Sequence, residues 1–497
     1  MGNGRWVWGV VVALWVGCAE DAPREDAPSK EDAPDSPPEP DVPAEPDVMP
    51  EPDVPAEPDV APEPDVPAET DAPAEPDAPA EPDAPAEPDV PAEPDVMPEP
   101  DVMPEPEARC AALGGSCAGV EPGSAVEHRM SGLEGCKFGL VRSEAPVGAV
   151  GLADALAARG RGYVALERLD LNREGVAGIT EQSAQRLRNH AYEGFRWNDG
   201  DMDTPDWYPQ GITGQSDATE AGDGTRRLLV SWYDHTERVP TKGVRVSVVD
   251  VSNVRAPRYR HVLLVEPIEA AGGASFEAVH VSDGGPLHAG GMVWFRDKLY
   301  VADTGNGFRV FDLGRIVEVT HTDDTERIGV SSGRMDAHGY RYIVPQVARY
   351  RRAPGGCALT FSFVGLDRSE SPPLLVTGEY RADATTGRLA RWAVDPDAGW
   401  LIEEPDGVVY AHDAVVGGQT KMQGGVTWRG DWYISSSSQH QSFGRLYRTR
   451  LGRAESSVSA WVYGCEDLYL ERGTDRIWTA AEHPGARDVV SIPRLAP

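Results

Sequence analysis

Glu482 and His483 stand side by side in the stretch EHPG, residues 482–485. A carboxylate beside an imidazole can work as a general base when both reach one substrate. Adjacent residues of a strand point to opposite faces, so adjacency alone does not supply that geometry. Asp303 in ADTGNG and Glu379 in GEY close short apolar runs. With Asp234, His235 and Ser436 they mark matching strand ends; Gln210, His288, Gln423, Glu466 and Asp467 mark matching strand starts. Together these residues describe an acidic rim with histidines, and carboxylate and carbonyl oxygens suit one divalent metal, calcium or magnesium. A second metal candidate is NDGDMDTPDW, residues 198–207, where Asp199, Asp201 and Asp203 alternate as in calcium loops. Its glycine is displaced and the glutamate of an EF-hand is missing. The competing account of each aspartate is structural: after a strand it caps a turn by accepting backbone amides. Other chemistries lack their motifs. Ser435–Ser438 has no Gly-x-Ser-x-Gly elbow. Neither a P-loop nor a dinucleotide fingerprint occurs, and no Cys-x-x-Cys pair suggests zinc.

The elements that must position these residues repeat. GGMVWFRDKLYVADT (290–304) is echoed by GGVTWRGDWYISSS (424–437), and each is followed by a third strand, GFRVFDL or GRLYRTR. Weaker copies run over 209–251, 360–395 and 466–494. Alternating apolar residues between Gly, Asp and Asn turns predict half-buried antiparallel strands. Recurrence of this unit predicts an all-β chain folded as a five-bladed β-propeller, with six blades as the alternative. Fourth strands are expected at 258–267, 340–350, 407–416 and 456–464. The last blade lacks one, and GYVALERLDL (162–171) is expected to supply it and close the ring. Residues 151–159 and 180–191 read as helices. The plan is a signal segment 1–18, a tether 19–107, a cysteine-containing lead-in 108–161 and a propeller 162–497.

LYVADTGNGFRVFDL (299–313) resembles the strand pair of NHL and gluconolactonase-like propellers. DWYPQG, HAGG, GEY and EHPG are similar to elements of uncharacterised secreted propeller proteins of bacteria, over most of 150–497. The first resemblance implies the fold, one divalent metal in the channel and lactone hydrolysis. The second implies no particular activity.

The N-terminal region sets the expected address. WVWGVVVALWV is too short to span a bilayer as a mature helix and ends before Gly17–Cys18, which resembles a lipobox. That implies cleavage before Cys18 and a lipid on its thiol; a non-lipidated signal peptide is the alternative. From Glu39 the chain repeats every six residues as EPDVPA or EPDAPA. Residues 19–107 hold 27 of the 44 prolines and carry a net charge of −29 of the total −35. Such composition cannot bury a core, so a disordered spacer is expected. As polyproline II at about 3.1 Å per residue it would reach roughly 210 Å. A tract for a proline-binding partner and a metal-attracting acidic brush are the alternatives. Residues 108–497 are nearly balanced, at −7; no basic footprint points to nucleic acid. Of the later cysteines, Cys110, Cys117 and Cys136 cluster, so a local disulfide is expected, and Cys357 could reach Cys465. The expectation is a monomeric lipoprotein of the cell envelope, in the outer membrane, periplasm or at the cell surface, presenting a propeller to a protein or glycan. A metal-dependent hydrolase or lactonase is the alternative, and a purely structural envelope protein the third reading.

Overall fold

A computed structural model of the chain describes residues 109–110, 113–114, 116–121, 127–219, 225–437, 443–453 and 456–494. Cys18, the signal segment and the acidic repeat lie outside the described residues.

The repeat folds as a five-bladed propeller. Blade one is Trp207–Gly214, Arg227–Asp234, Val244–Asp250 and Arg258–Ala270 from axis to rim. Blade two is Met292–Phe295, Lys298–Asp303, Gly307–Asp312 and Tyr342–Arg352. Blade three is Phe363–Asp367, Leu374–Gly378, Arg388–Ala393 and Asp413–Val416. Blade four is Met422–Trp428, Asp431–Ser436, Arg445–Thr449 and Ser457–Ala460. Blade five takes Tyr469–Glu471, Arg476–Ala480 and Asp488–Pro493 from the end of the chain and its fourth strand from Glu193–Arg196. Chain-end pairing therefore closes the ring and leaves no raw edge there.

The closing strand is not Gly162–Leu171. In that segment Leu166 and Leu169 sit three apart on a 3-10 turn, Leu166–Arg168, and both are buried. Spacing of three fits a turn that eclipses every third side chain, not a strand of period two. Tyr163 makes only an isolated bridge to Val317. The second expected helix is shorter than 180–191: Thr180 caps Glu181–Arg186.

Each blade buries its face against the next, as a repeat that cannot shield itself must. Five hydrophobic clusters lie at the five junctions. Phe195, Trp478 and Val489 of blade five, for example, meet Ile212, Trp232 and Tyr259 of blade one. Phe363 and Leu389 of blade three meet Met422 and Trp432 of blade four. A sixth cluster seats the helix Ala149–Arg159, through Leu156, on the outer strands of blades one and two. The segment before it joins the rim directly. Ser131–Leu133 adds a fifth strand to blade three, and Gly139–Glu144 pairs with the outer strand of blade two. The bridges Cys110–Cys136 and Cys117–Cys357 pin this lead-in. Cys465 is buried and unbridged, so it does not pair with Cys357. Disulfides of this kind belong to an oxidising, extracytoplasmic compartment. Among the described residues no helix is long and apolar enough to cross a membrane.

The paired glycines of the repeat have a packing cause. A Cβ on Gly291 would sit 2.2 Å from Val364 N, and one on Gly365 would sit 2.2 Å from Gly425 O. A Cβ on Gly211 would meet the Gly291 carbonyl carbon at 2.8 Å, and one on Gly424 would meet Asp467 Cα at 2.7 Å. Inner strands thus touch backbone to backbone around the axis. Where they finish, the short helix Gln215–Ala218 packs across the neighbouring inner strands. Arg368 Nε donates to Asp217 O at 2.9 Å and Arg472 Nη2 to Thr219 O at 2.8 Å, cations at a helix C-terminus.

Candidate functional site, an acid pair at the axial mouth

At the opposite end, where inner strands begin, four side chains from three blades form a buried polar chain. Gln210 lies at a bulge in the inner strand of blade one. Its Nε2 donates to Glu482 Oε2 at 2.9 Å. Glu482, just past the second strand of blade five, shares a hydrogen bond with Glu466. Gln423 Nε2, at the start of blade four, donates to Glu466 Oε1 at 3.2 Å. All four side chains are buried. A hydrogen bond between two carboxyl groups requires a proton on one of them. Burial pushes the Glu482 pKa up to about 7; the hydrogen bonds from Gln210 and Glu466 and the charge of Arg487 oppose this and lose. Gln210 Oε1 has no hydrogen-bond partner among the described residues. An unmatched buried acceptor is costly, and a ligand hydroxyl or a water would relieve it.

Rings and imidazoles wall this floor. Tyr208 stacks on His235 with centroids 4.0 Å apart, and Tyr233 lies 4.8 Å from His288. His483, on the neighbouring blade five, lies 4.6 Å from Tyr463. Tyr208, His235, His288, Tyr463 and His483 are all half-buried, so each keeps part of its surface open to solvent. His288 is pushed down to about 4 by burial and then by His235, so it is neutral at physiological pH. Burial followed by the charge of Arg487 lowers His483. Arg487 braces the wall from behind. Its Nε donates to Glu482 O at 2.8 Å and its guanidinium lies 4.9 Å from the centre of the Tyr208 ring.

Glu482 and His483 are both at the mouth, with Oε1 and Nε2 3.5 Å apart. That distance is too long for a strong hydrogen bond. The partner of Glu482 is the buried carboxyl of Glu466. Sequence reasoning placed Gln210, Gln423 and Glu466 at matching strand starts but carried no signal that they join.

The metal candidates do not come together. Asp303 accepts from Arg309 Nε at 2.9 Å and Asn306 Nδ2 at 2.9 Å. Glu379 is clamped by Arg388, Nε to Oε2 at 2.9 Å and Nη2 to Oε1 at 2.7 Å. Burial alone would raise the Glu379 pKa; the Arg388 hydrogen bonds and charge hold it below its ordinary value. Asp199, Asp201 and Asp203 do not form a calcium loop. Asn198 caps a helical turn, Asp199–Met202, by accepting from Asp201 N at 3.0 Å. Helical spacing turns Asp201 inward and leaves Asp199 and Asp203 exposed. Among the described residues no group of three or more His, Cys, Asp or Glu stands close enough to share an ion. The divalent metal that the gluconolactonase resemblance implies therefore has no fitting ligand set there.

Asp201 belongs to a different buried site. It accepts from Arg245 Nη2 at 2.9 Å, Arg173 Nη1 at 3.1 Å, Tyr259 OH at 2.7 Å and His261 Nε2 at 3.0 Å. His261 Nδ1 lies 2.9 Å from Ser247 Oγ, which accepts from Trp232 Nε1 at 2.8 Å. Ser247 and His261 face each other across paired strands of blade one. The order Ser–His–Asp matches a nucleophilic relay. Ser247 is wholly buried beneath Trp232, however, so no substrate reaches it. Burial and Arg245 push His261 down to about 3. Its neutral ring accepts a hydrogen bond from the serine hydroxyl at Nδ1 and donates one from Nε2 to Asp201. Burial would raise the Asp201 pKa; His261, Arg245 and Arg173 together drive it far below the usual carboxylate range.

The strand pairing defines the class of protein: a five-bladed β-propeller with a polar axial mouth. No protein-family model matches the chain, and no curated protein matches it significantly. Solved structures that align with it include a GH43_1 enzyme from Xanthomonas citri complexed with xylose, at 9% identity over 64% of this chain and 94% of that one, TM-score 0.28. A subtype N11 neuraminidase-like protein from a flat-faced bat influenza A virus aligns at 11% identity over 66% and 98%, TM-score 0.30. Hydrazine synthase of Kuenenia stuttgartiensis aligns at 12% identity over 56% and 75%, TM-score 0.26. Similarity of this degree leaves the fold to rest on the strand pairing itself.

Proposed function

We propose that the axial mouth binds a glycan and that the propeller is presented outside the cytoplasm. One observation carries the reading: a buried floor of two carboxyl groups and two amides lies near half-buried rings, Tyr208 and Tyr463. Sugars offer apolar C–H faces that pack on rings and hydroxyls that satisfy buried carboxylates and amides. Gln210 Oε1 supplies an acceptor without a partner among the described residues. A lipid on Cys18 and a spacer over residues 19–107 would hold the propeller away from a membrane; the lipobox-like LWVGC and the two disulfides support that address. A protein ligand remains the competing partner at the same face.

The acid pair favours a second reading, glycoside or lactone hydrolysis with Glu482 as general acid. A carboxyl group raised to about 7 is half-protonated at neutral pH and can deliver a proton to a leaving oxygen. No step of that reaction is assigned to a metal, since no group of three or more His, Cys, Asp or Glu stands together among the described residues.

Calorimetric titration of the full chain with neutral oligosaccharides tests the first reading. Binding is expected, with a loss of about tenfold or more in Tyr208→Ala or Tyr463→Ala, because a desolvated aromatic contact contributes at least about 1.4 kcal/mol. Absence of binding to a broad set of neutral glycans removes it. Turnover abolished in Glu482→Gln with binding kept would favour the hydrolase. Incorporation of labelled palmitate in the wild type, and its loss in Cys18→Ser, tests the anchor.

A further inference from the structure

The face opposite the mouth carries a repeated arginine. In four blades an arginine directly follows the inner strand: Arg296, Arg368, Arg429 and Arg472. Three of them are spent within the fold. Arg296 Nε donates to Pro396 O, Arg368 to Asp217 O and Arg472 to Ser216 O. Arg429 breaks the pattern. Its backbone amide donates to Ser369 Oγ at 2.6 Å, but its exposed guanidinium has no acid partner among the described residues.

Arg429 borders a cleft of about 330 Å³ between blades four and five, lined by Trp428, Asp431, Arg448, Arg450, Arg453 and Arg494. Asp431 is the one acid in the lining among the described residues, and it is shared by two cations: Arg448 Nε at 3.1 Å and Arg450 Nε at 2.7 Å. Arg494 pairs with Asp475 at 2.6 Å. Arg453, like Arg429, is exposed and has no acid partner among the described residues. The cleft is thus strongly cationic on a domain whose charge from residue 108 onward is −7. Half-buried Trp428 stands between Arg429 and Arg494, whose guanidiniums lie 5.7 and 5.9 Å from its ring centre.

We propose that this cleft is a second binding site, for a carboxylate-bearing polysaccharide of the polyuronate type. Planar guanidinium forks match carboxylates bidentately, and half-buried Trp428 offers apolar surface beside them. The cleft takes a ring or two, not a duplex. Away from it the acidic domain repels a continuous line of phosphates, so nucleic acid is disfavoured. This site is independent of the axial mouth, which lies on the other face and is read as taking uncharged sugar.

The experiment titrates the full chain with a short galacturonate oligomer and, separately, with its methyl ester, which keeps the ring and removes the charge. Binding of the free acid is expected, weakening with added salt. Arg429→Glu combined with Arg453→Glu should lower affinity at least about tenfold, since each charge-assisted hydrogen bond is strong and both charges reverse. Both side chains are exposed, so an unchanged melting temperature is expected to show the variant folded; Arg238→Glu serves as a distant control. Equal binding of the methyl ester, or full affinity in the double variant, overturns the proposal. So does equal loss in Tyr208→Ala, which would place the ligand at the axial mouth. Absence of binding by the full chain overturns it too, whether the cleft lacks affinity or the chain's own acidic tract, net −29, holds it.

Discussion

Two buried carboxylate sites in this propeller use the same residue types to opposite ends. Around Asp201 the neighbours are Arg245, Arg173 and His261; around Glu482 they are Glu466 and Gln210, while the Arg487 guanidinium donates to the Glu482 backbone carbonyl. Both carboxyl groups lose most of their water. In the first site, guanidinium forks replace that water and the acid stays ionised. In the second, the replacement is an amide and another acid, so a proton is retained. Burial alone therefore says little about charge: the partner decides whether a buried acid is an anchor or a proton donor.

The largest expected effect that sharpens this contrast is Asp201→Ala. It strands Arg245, with Arg173 beside it, in a buried place, so stability should fall by about 3–5 kcal/mol in urea unfolding. A loss under about 1 kcal/mol would show that the network is not holding blade one to the Asn198 turn. The amide replacement that mimics a protonated acid separates the two sites directly. Glu482→Gln should shift stability by no more than about 1 kcal/mol, whereas Asp201→Asn should remain clearly destabilising. Equal losses in both would erase the distinction.

The pH dependences should oppose each other. Glu482 is raised in the fold from an ordinary 4.5 to about 7, so its contribution is fully present below pH 4.5 and is lost as pH rises toward 7. His261 is lowered from 6.5 to about 3, so its contribution is present above pH 6.5 and is lost as pH falls toward 3. Unfolding midpoints across roughly pH 4–8 should therefore lose their decline on the alkaline side in Glu482→Gln and part of their acid-side decline in His261→Gln. Unaltered profiles in both variants would contradict the assigned protonation states. The smallest effect expected is that of a chelator. Asp303 and Glu379 are neutralised by Arg309 and Arg388, so EDTA should leave the melting temperature of the full chain unchanged, and a marked fall would restore calcium to the account.

Much of the ring was legible. GGMVW and GGVTW announce inner strands because glycine pairs are what the crowded axis admits, and the aromatic alternation of KLYVAD and DWYISS announces the second strands. The closing strand was not. Glu193–Arg196 is four residues long, and its place depends on Asp488–Ser491 lying beside it, a separation of almost 300 residues. GYVALERLDL has more apolar residues, yet Leu166 and Leu169 serve a turn. EHPG lies at the end of the axis where the inner strands begin, while the adjacency of Glu482 and His483 hid the contact with Glu466, sixteen residues earlier. Asp199, Asp201 and Asp203 misled for a related reason. Their alternation has meaning only in a loop or strand, and a capping Asn198 makes the segment a helical turn.

The amino-acid order by itself determined the local alphabet: which runs alternate, where glycines interrupt them, which segment is too rich in proline and acid to bury a core, and where cysteines can oxidise. Those are properties of a few consecutive side chains and their backbone preferences. Only the tertiary structure decided which acid meets an arginine and which meets another acid, since these contacts join residues such as Gln210 and Glu482, 272 positions apart. Charge and hydrogen bonding act through a few ångströms of space, and it is the closing of the ring that sets those distances.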